Sequence, residues 1–432
     1  MMKNTLKYIS ILCLSVLAWP LAAQAPVPAP AQSQPIAIVG ATAHLGTGQA
    51  IENSLIAFEN GKITVVAPFS GQDISKYKVI QAQGKHVYPG FIAPDTNLGL
   101  IEIGQTPATQ DYAEIGDINP NVRALIAYNT DSQVTPTVRG MGVLIAQIVP
   151  SSGVLSGQSS VVQLDAWNWE DAAYLADDGV HVSFPNRQRF SFATFGLDDN
   201  PQYDEQIKSL KDFLSDAKSY CGNKSAGKEI NLKLEAMCGL FDGSKRFFVH
   251  ANSAQDMTQA ILMAKEYGMK LVIVGGADAW MMTEQLKTNN VAVILGSTQA
   301  LPGRIDDDVD LPFKAPRLLH EAGVTYCLGH EGYWQYRNLS FQAGQAVGFG
   351  LPYEEAVAAI TLNTAKILGI ADRAGSLEVG KDAILFVSDG DALDSRSDMV
   401  THAFIQGREI DLNNKQKVLY EKFREKYARM KK

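Results

Sequence analysis

Four short apolar runs, SKRFFVHAN, GMKLVIVGG, NNVAVILGS and AGVTYCLGH, follow one another in the second half of the chain, and each ends in Gly or a polar residue. Between them lie helical patterns at Asp256–Tyr267, Trp280–Leu286 and Ala315–Ala322. Strand and helix alternate every ~20–35 residues, which is the pattern of successive βα units on a parallel sheet. Parallel crossovers are right-handed, and enough such units in this length favour a closed barrel over an open sheet. In a barrel the chemistry sits at the carboxyl ends of the strands. That directs attention to Asp95–Asn97, Pro150–Gly157, His250–Asn252, Gly275–Gly276 and His330–Trp334.

The flanks read differently. Residues 36–88 alternate apolar stretches with glycines, and Glu59-Asn60-Gly61-Lys62 carries the Asn-Gly hairpin signal. Strands return in KDAILFVSDG and MVTHAFIQGREI, after helices over 340–370. GMGVLIAQIVP (140–150) reads as a strand buried on both faces. The expected architecture is α/β, a TIM-like barrel over 89–372 with a small composite β-sandwich. The sandwich is built from both chain ends, 36–88 and 373–412, and a charged helix closes the chain at 413–432. The segment 171–245 reads as an excursion between barrel strands, with an amphipathic helix carrying Ile207, Leu210 and Leu214.

Met1–Ala25 has the form of a signal peptide: Lys3 and Lys7, an apolar run from Tyr8 to Trp19, and Ala23-Gln24-Ala25. The expectation is export to the periplasm or beyond, with PVPAPAQSQP (26–35) as a Pro-rich linker. The mature chain has no run of transmembrane length. The net charge is −8 with no basic run, which argues against nucleic-acid binding. Cys221 and Cys238 flank a polar loop and can pair in an oxidising compartment, whereas Cys327 reads as a buried thiol. No oligomerisation signal stands out.

GKHVYPGFIAPDTNLGL (84–100) and AAITLNTAKILGIADRAGSLEVGKDAILFVSDGDALD (358–394) together resemble the amidohydrolase superfamily, in its imidazolonepropionase-like group. The N-terminal stretch is similar to that superfamily's opening barrel strand, usually written P-G-x-I-D-x-H-x-H. The longer stretch, 358–394, resembles its C-terminal signature. The resemblance implies a (β/α)8 barrel and metal-dependent hydrolysis of a C–N bond in a ring amide or related small molecule. It also implies metal ligands at the H-x-H positions, which are Asp95 and Asn97 here, and at the fifth strand, where His250 stands. Where the sixth-strand His belongs, the chain has Gly275 and Gly276. The eighth-strand acid aligns with Glu331, beside His330. No fourth-strand ligand is assigned, so the ligand set reads as degenerate.

Seven histidines, none at H-x-H or H-E-x-x-H spacing, argue against an ordinary multi-histidine zinc site. Asp95, Asn97 and His250 are the expected metal ligands, and with Glu331 they form an oxygen-rich set suited to harder divalent cations. Asp95 and Asn97 can equally satisfy loop backbone. Glu331 and His330 are the expected acid/base pair. Trp167, Trp169 and Trp334 are candidates for stacking on a planar substrate. PSSGVLSGQSS (150–160) reads as a loop able to present backbone N–H groups, and IDDDVD (305–310) as a solvated acidic loop. Two functions follow: an exported hydrolase of cyclic-amide or other non-peptide C–N bonds with an altered metal site, or a catalytically degenerate barrel that binds a ligand or serves as an accessory protein.

Overall fold

The structure, a computed structural model, describes residues 27–191, 195–223, 229–304 and 306–430. The expected signal peptide, Met1–Ala25, lies outside these. Eight strands form one sheet in sequence order: β1 Phe91–Thr96, β2 Val143–Ile148, β3 Leu155–Gln163, β4 Ala173–Ser183, β5 Arg246–Ala251, β6 Leu271–Gly275, β7 Ala292–Leu295 and β8 Tyr326–Leu328. β1 and β2 are parallel, and β4 to β8 are parallel in succession. The sheet curls into a nearly closed barrel. Its seam is drawn together where the β1 end meets the segment after β8: Thr96 Oγ1 donates to Gly332 O at 3.0 Å, and the Tyr336 hydroxyl donates to Pro94 O.

β3 departs from the expected pattern. It runs antiparallel to both neighbours, and most of it lies in the stretch that the sequence presents as a loop. The reason is that its polar residues are buried and paired. Ser159 Oγ donates to Asp178 Oδ1 at 2.8 Å, and Ser160 Oγ accepts the Asp177 N–H at 2.9 Å. A strand whose hydroxyls bond inside a barrel loses the apolar pattern by which strands are recognised.

β5 to β8 are apolar on both faces because one face fills the barrel and the other meets helices. The helix Ala254–Tyr267 is typical of the outer layer. Ser253 caps it by accepting the Asp256 N–H at 3.0 Å, and Gly268 ends it at φ 77°. Its buried stripe is Met257, Ala260, Ile261 and Ala264, at helical spacing.

The sandwich pairs a sheet of N-terminal strands with a sheet drawn from both chain ends. The first contains Ile36–Val39, Ser54–Glu59, Lys62–Pro68 and Lys78–Gln81; the other includes Thr42–His44, His86–Pro89, Leu385–Ser388 and Val400–Ile405. Phe58 and Phe404 meet edge-on between the sheets at 4.9 Å. The Asn60-Gly61 turn has φ 51° and 76°, the left-handed pair a tight hairpin needs. Residues 27–35 form no helix or strand, and Ala29 N is held by Asp165 Oδ2 at 2.9 Å. A Cys221–Cys238 disulfide ties helix Tyr203–Gly222 to helix Leu232–Asp242. Cys327 is a buried free thiol, and burial pushes its pKa up to about 12. In the acidic loop, Asp307 pairs with Arg304, and Asp308 and Asp310 pair with Lys314.

Candidate functional site

The carboxyl end of β1 turns sharply at Asp95, whose φ is 48°. This left-handed conformation is uncommon for a residue with a side chain. Gln147 of β2 holds it, because its Oε1 accepts the Asp95 N–H at 3.1 Å. The Gln147 amide is itself oriented by its Nε2, which donates to Asp178 Oδ2 at 2.8 Å and Ser159 Oγ at 3.2 Å. These groups are buried inside the barrel. Burial lifts the Asp178 carboxyl to about 6, against the opposing effect of its hydrogen bonds and of Arg246.

The β4–β5 register sets His181 beside Phe248, and the two rings stack with centroids 4.5 Å apart. His250 stands two residues beyond Phe248 on the same strand face. The register therefore brings both imidazoles to the mouth, over Asp95. His181 Nδ1 is 3.0 Å from His250 Nε2, and Asp95 Oδ1 lies 3.6 and 3.5 Å from these two atoms. Bonds of about 2.0–2.2 Å to a shared ion place neighbouring donors roughly 2.9–3.4 Å apart. The spacing, and the chemistry of two imidazoles with one carboxylate, fit a first-row divalent metal. Burial drives the His181 pKa well below its ordinary value and keeps the ring neutral, as a ligand must be. Burial also raises the Asp95 pKa, and His250 opposes that rise.

The cluster opens into a cavity of about 160 Å³ lined by Asp95, His250, Asn252, His330, Glu331 and Tyr336 among others. Gly275 explains part of its shape. It has φ 95°, and a Cβ there would meet Asn252 Oδ1 at 2.5 Å. The glycine at the expected sixth-strand ligand position therefore makes room for the Asn252 amide. Tyr336 braces the opposite wall: its hydroxyl accepts the His330 N–H at 3.1 Å while donating to the β1 end.

Of the residues expected from sequence, Asp95 and His250 meet in the cluster, and His330 and Glu331 line the cavity beside it. Asn97 directs its amide to Val149 O at 2.7 Å and so satisfies loop backbone. Trp334 packs partly against the core, with the Arg337 guanidinium 5.2 Å from its ring. Trp167 and Trp169 follow the antiparallel β3, whose direction carries them to the end of the barrel opposite the cluster. Trp167 is exposed there, and Trp169 opens the short helix Trp169–Ala172. His181 is not among the ligands expected from sequence. Its signal is the V-H-V alternation in GVHVSF, which turns the imidazole away from both valines.

Residues 256–410 match the sequence model of the Amidohydrolase family. An amidohydrolase from Thermotoga maritima superposes with a TM-score of 0.76 at 25% identity, covering 87% of this chain and 99% of its own. In sequence over 256–410 and in fold over most of its length, the chain is similar to the amidohydrolase superfamily. It is also similar to the imidazolonepropionase of Brucella anthropi, with 24% identity over 371 residues, 78% of this chain and 87% of the relative. A prolidase solved with N-methylphosphonate-L-proline shares the fold, with a TM-score of 0.54 at 15% identity over 87% of this chain and 99% of its own.

Proposed function

We propose that this protein is an exported amidohydrolase-superfamily enzyme that hydrolyses a C–N bond in a small cyclic amide or other non-peptide substrate, with a divalent ion held by Asp95, His181 and His250. The observation that carries the reading is the convergence of these three donors at the carboxyl end of the barrel. His181 adds a second imidazole to the set. That moves the preference from the hard cations expected from sequence toward zinc, manganese, iron or cobalt. When bound, such an ion supplies Lewis acidity toward a carbonyl oxygen and makes a bound water more acidic.

The chain's own residues do the rest. Asn252 orients the substrate by hydrogen bonding, beside a wall kept open by Gly275, Gly296 and Gly329. His330 and Glu331 move protons at the rim. Burial lowers the His330 pKa, which leaves its imidazole neutral and able to accept a proton at pH 7. The cavity of about 160 Å³ is small beside the roughly 300–1,000 Å³ of drug-sized sites, which favours a compact ring over a peptide. Similarity to an imidazolonepropionase supports the same substrate class. The form of Met1–Ala25 and the Cys221–Cys238 disulfide support export to an oxidising compartment.

The test is metal analysis of the purified protein together with hydrolysis assays on imidazolones, hydantoins, lactams and dipeptides. Stoichiometric metal, with turnover of a cyclic amide that is lost on chelation and restored by adding metal back, is the expected result. Absence of both metal and hydrolysis would leave the alternative, a barrel that binds a ligand or serves as an accessory protein. The observation on its side is the 3.0 Å contact between His181 and His250, which lets the imidazoles satisfy each other.

The support beneath Asp95 gives a separate expectation. In Asp178→Asn the new amide can donate to Gln147 Oε1, so the Gln147 amide turns and no longer accepts the Asp95 N–H. Metal affinity is expected to fall by about 10–100-fold, measured by calorimetric titration, with the thermal transition near that of the parent. Unchanged affinity would show that Asp95 needs no such support.

A further inference from the structure

The C-terminal helix, Lys415–Met430, lies outside the site, and none of its residues is buried. Its first turn is held to the barrel. Thr137 Oγ1 donates to Gln416 Oε1 at 2.7 Å, while Asn414 Oδ1 caps the helix by accepting the Lys417 N–H at 2.9 Å. From there the helix runs on for about 20 Å. Projected at about 100° per residue, Leu419, Tyr420, Phe423, Tyr427 and Met430 fall within an arc of roughly 100°. This stripe is open to solvent: Phe423 is 45% exposed, Tyr427 57%, Tyr420 65% and Met430 71%.

The charges are arranged around the stripe. Lys415, Lys422, Lys426 and Arg429 flank one side, and Lys417 and Arg424 flank the other. Glu421 and Glu425 stand at the opposite pole. Six basic residues against two acidic ones give the helix a charge of +4 on a chain whose net charge is −8, and Lys431 and Lys432 follow in sequence. Lys426 lies 5.8 Å from the Phe423 ring and 5.7 Å from the Tyr427 ring, and Arg424 lies 6.0 Å from the Tyr420 ring.

We infer that this helix is an interfacial anchor for an anionic phospholipid surface. The aromatic stripe enters the headgroup boundary, and the flanking Lys and Arg stems reach phosphates on both sides. No helix among the described residues is long and apolar enough to cross a bilayer, so the attachment is to the surface. Stripe-to-stripe pairing of two copies is disfavoured, because it sets the basic flanks of one helix against those of the other.

Flotation of the full chain with vesicles tests this. Binding is expected to vesicles of equal parts phosphatidylglycerol and phosphatidylcholine, and not to phosphatidylcholine alone. It should weaken as salt rises from about 0.1 to 1 M and the Debye length falls from about 10 to 3 Å. Phe423→Asp, and separately the pair Lys422→Glu and Lys426→Glu, should each lower the bound fraction roughly tenfold, with the thermal transition and metal content of the parent. Equal binding to neutral and anionic vesicles would overturn the inference. So would undiminished binding of Phe423→Asp, which would assign the attachment to another segment, the apolar run at the N-terminus included. Light scattering that shows a parent dimer made monomeric by Phe423→Asp would make the stripe a self-association face instead.

Discussion

Replacing His181 with alanine is expected to lower metal affinity more than a hundredfold, beyond the roughly 10–100-fold typical of losing a supporting partner. Hydrolysis should fall to the level of the chelated enzyme. The imidazole is one of three donors, so its loss leaves Asp95 and His250 as a two-point site. It is also fully buried and stacked on Phe248, so alanine leaves a cavity and costs about 2–4 kcal/mol in stability. The two effects are separated by His181→Phe, which keeps a ring against Phe248 and offers no nitrogen. Both variants should purify without stoichiometric metal. The parent should lose thermal stability on chelation, because an ion bound only by the folded state stabilises it by mass action. His181→Phe should show no such loss. If it retained one ion per chain, the donor set assigned to this site would be wrong.

His181 also shows where the sequence stops being legible. The four apolar runs of β5 to β8 are plain because both faces of those strands are buried in hydrocarbon. The Asn60-Gly61 hairpin is equally plain, since its residues suit the conformation they adopt. β3 and β4 carry the opposite signature. Ser159 of β3 and Asp178 of β4 put polar groups into the barrel interior, where they and Gln147 of β2 satisfy one another. Asp177 has φ 53° and interrupts β4 in the middle. Periodicity cannot find a strand whose buried face is polar, and such faces gather at functional sites. With β4 hidden, His181 has no position on the barrel. With β3 hidden, the direction of the chain at Trp167 and Trp169 is hidden too, and nothing in the sequence tells which end of the barrel they reach.

That reversal at β3 creates another buried polar site, and the largest expected loss of stability lies there. Asp165 follows β3 at the closed end of the barrel. Its Oδ1 accepts from Arg139 Nη1 at 2.8 Å, and its Oδ2 accepts from Arg408 Nη1 at 2.7 Å and from Ala29 N at 2.9 Å. The side chains of Asp165, Arg139 and Arg408 are only 4%, 7% and 16% exposed. One carboxylate thus joins the barrel, the last sandwich strand Arg408–Glu409 and the segment before the first. Asp165→Ala removes the only acidic group bonded to Arg139 in the described residues and leaves its buried guanidinium with the Leu164 carbonyl as a hydrogen-bond partner but no counter-charge. The expected cost is about 3–5 kcal/mol, seen as a fall of roughly 4–6 °C in the thermal transition of a chain this long. Proteolysis within residues 27–35 should also quicken, because Ala29 loses its anchor. Asp165→Leu combined with Arg139→Met and Arg408→Met should recover much of the loss, since an apolar trio of similar size needs no desolvation of charge. Metal content should match the parent in every variant, because Asp165 and the Asp95–His181–His250 cluster occupy opposite ends of the barrel. A triple variant no more stable than Asp165→Ala alone would show that the buried charges hold the sandwich to the barrel through specific hydrogen bonds that packing cannot replace.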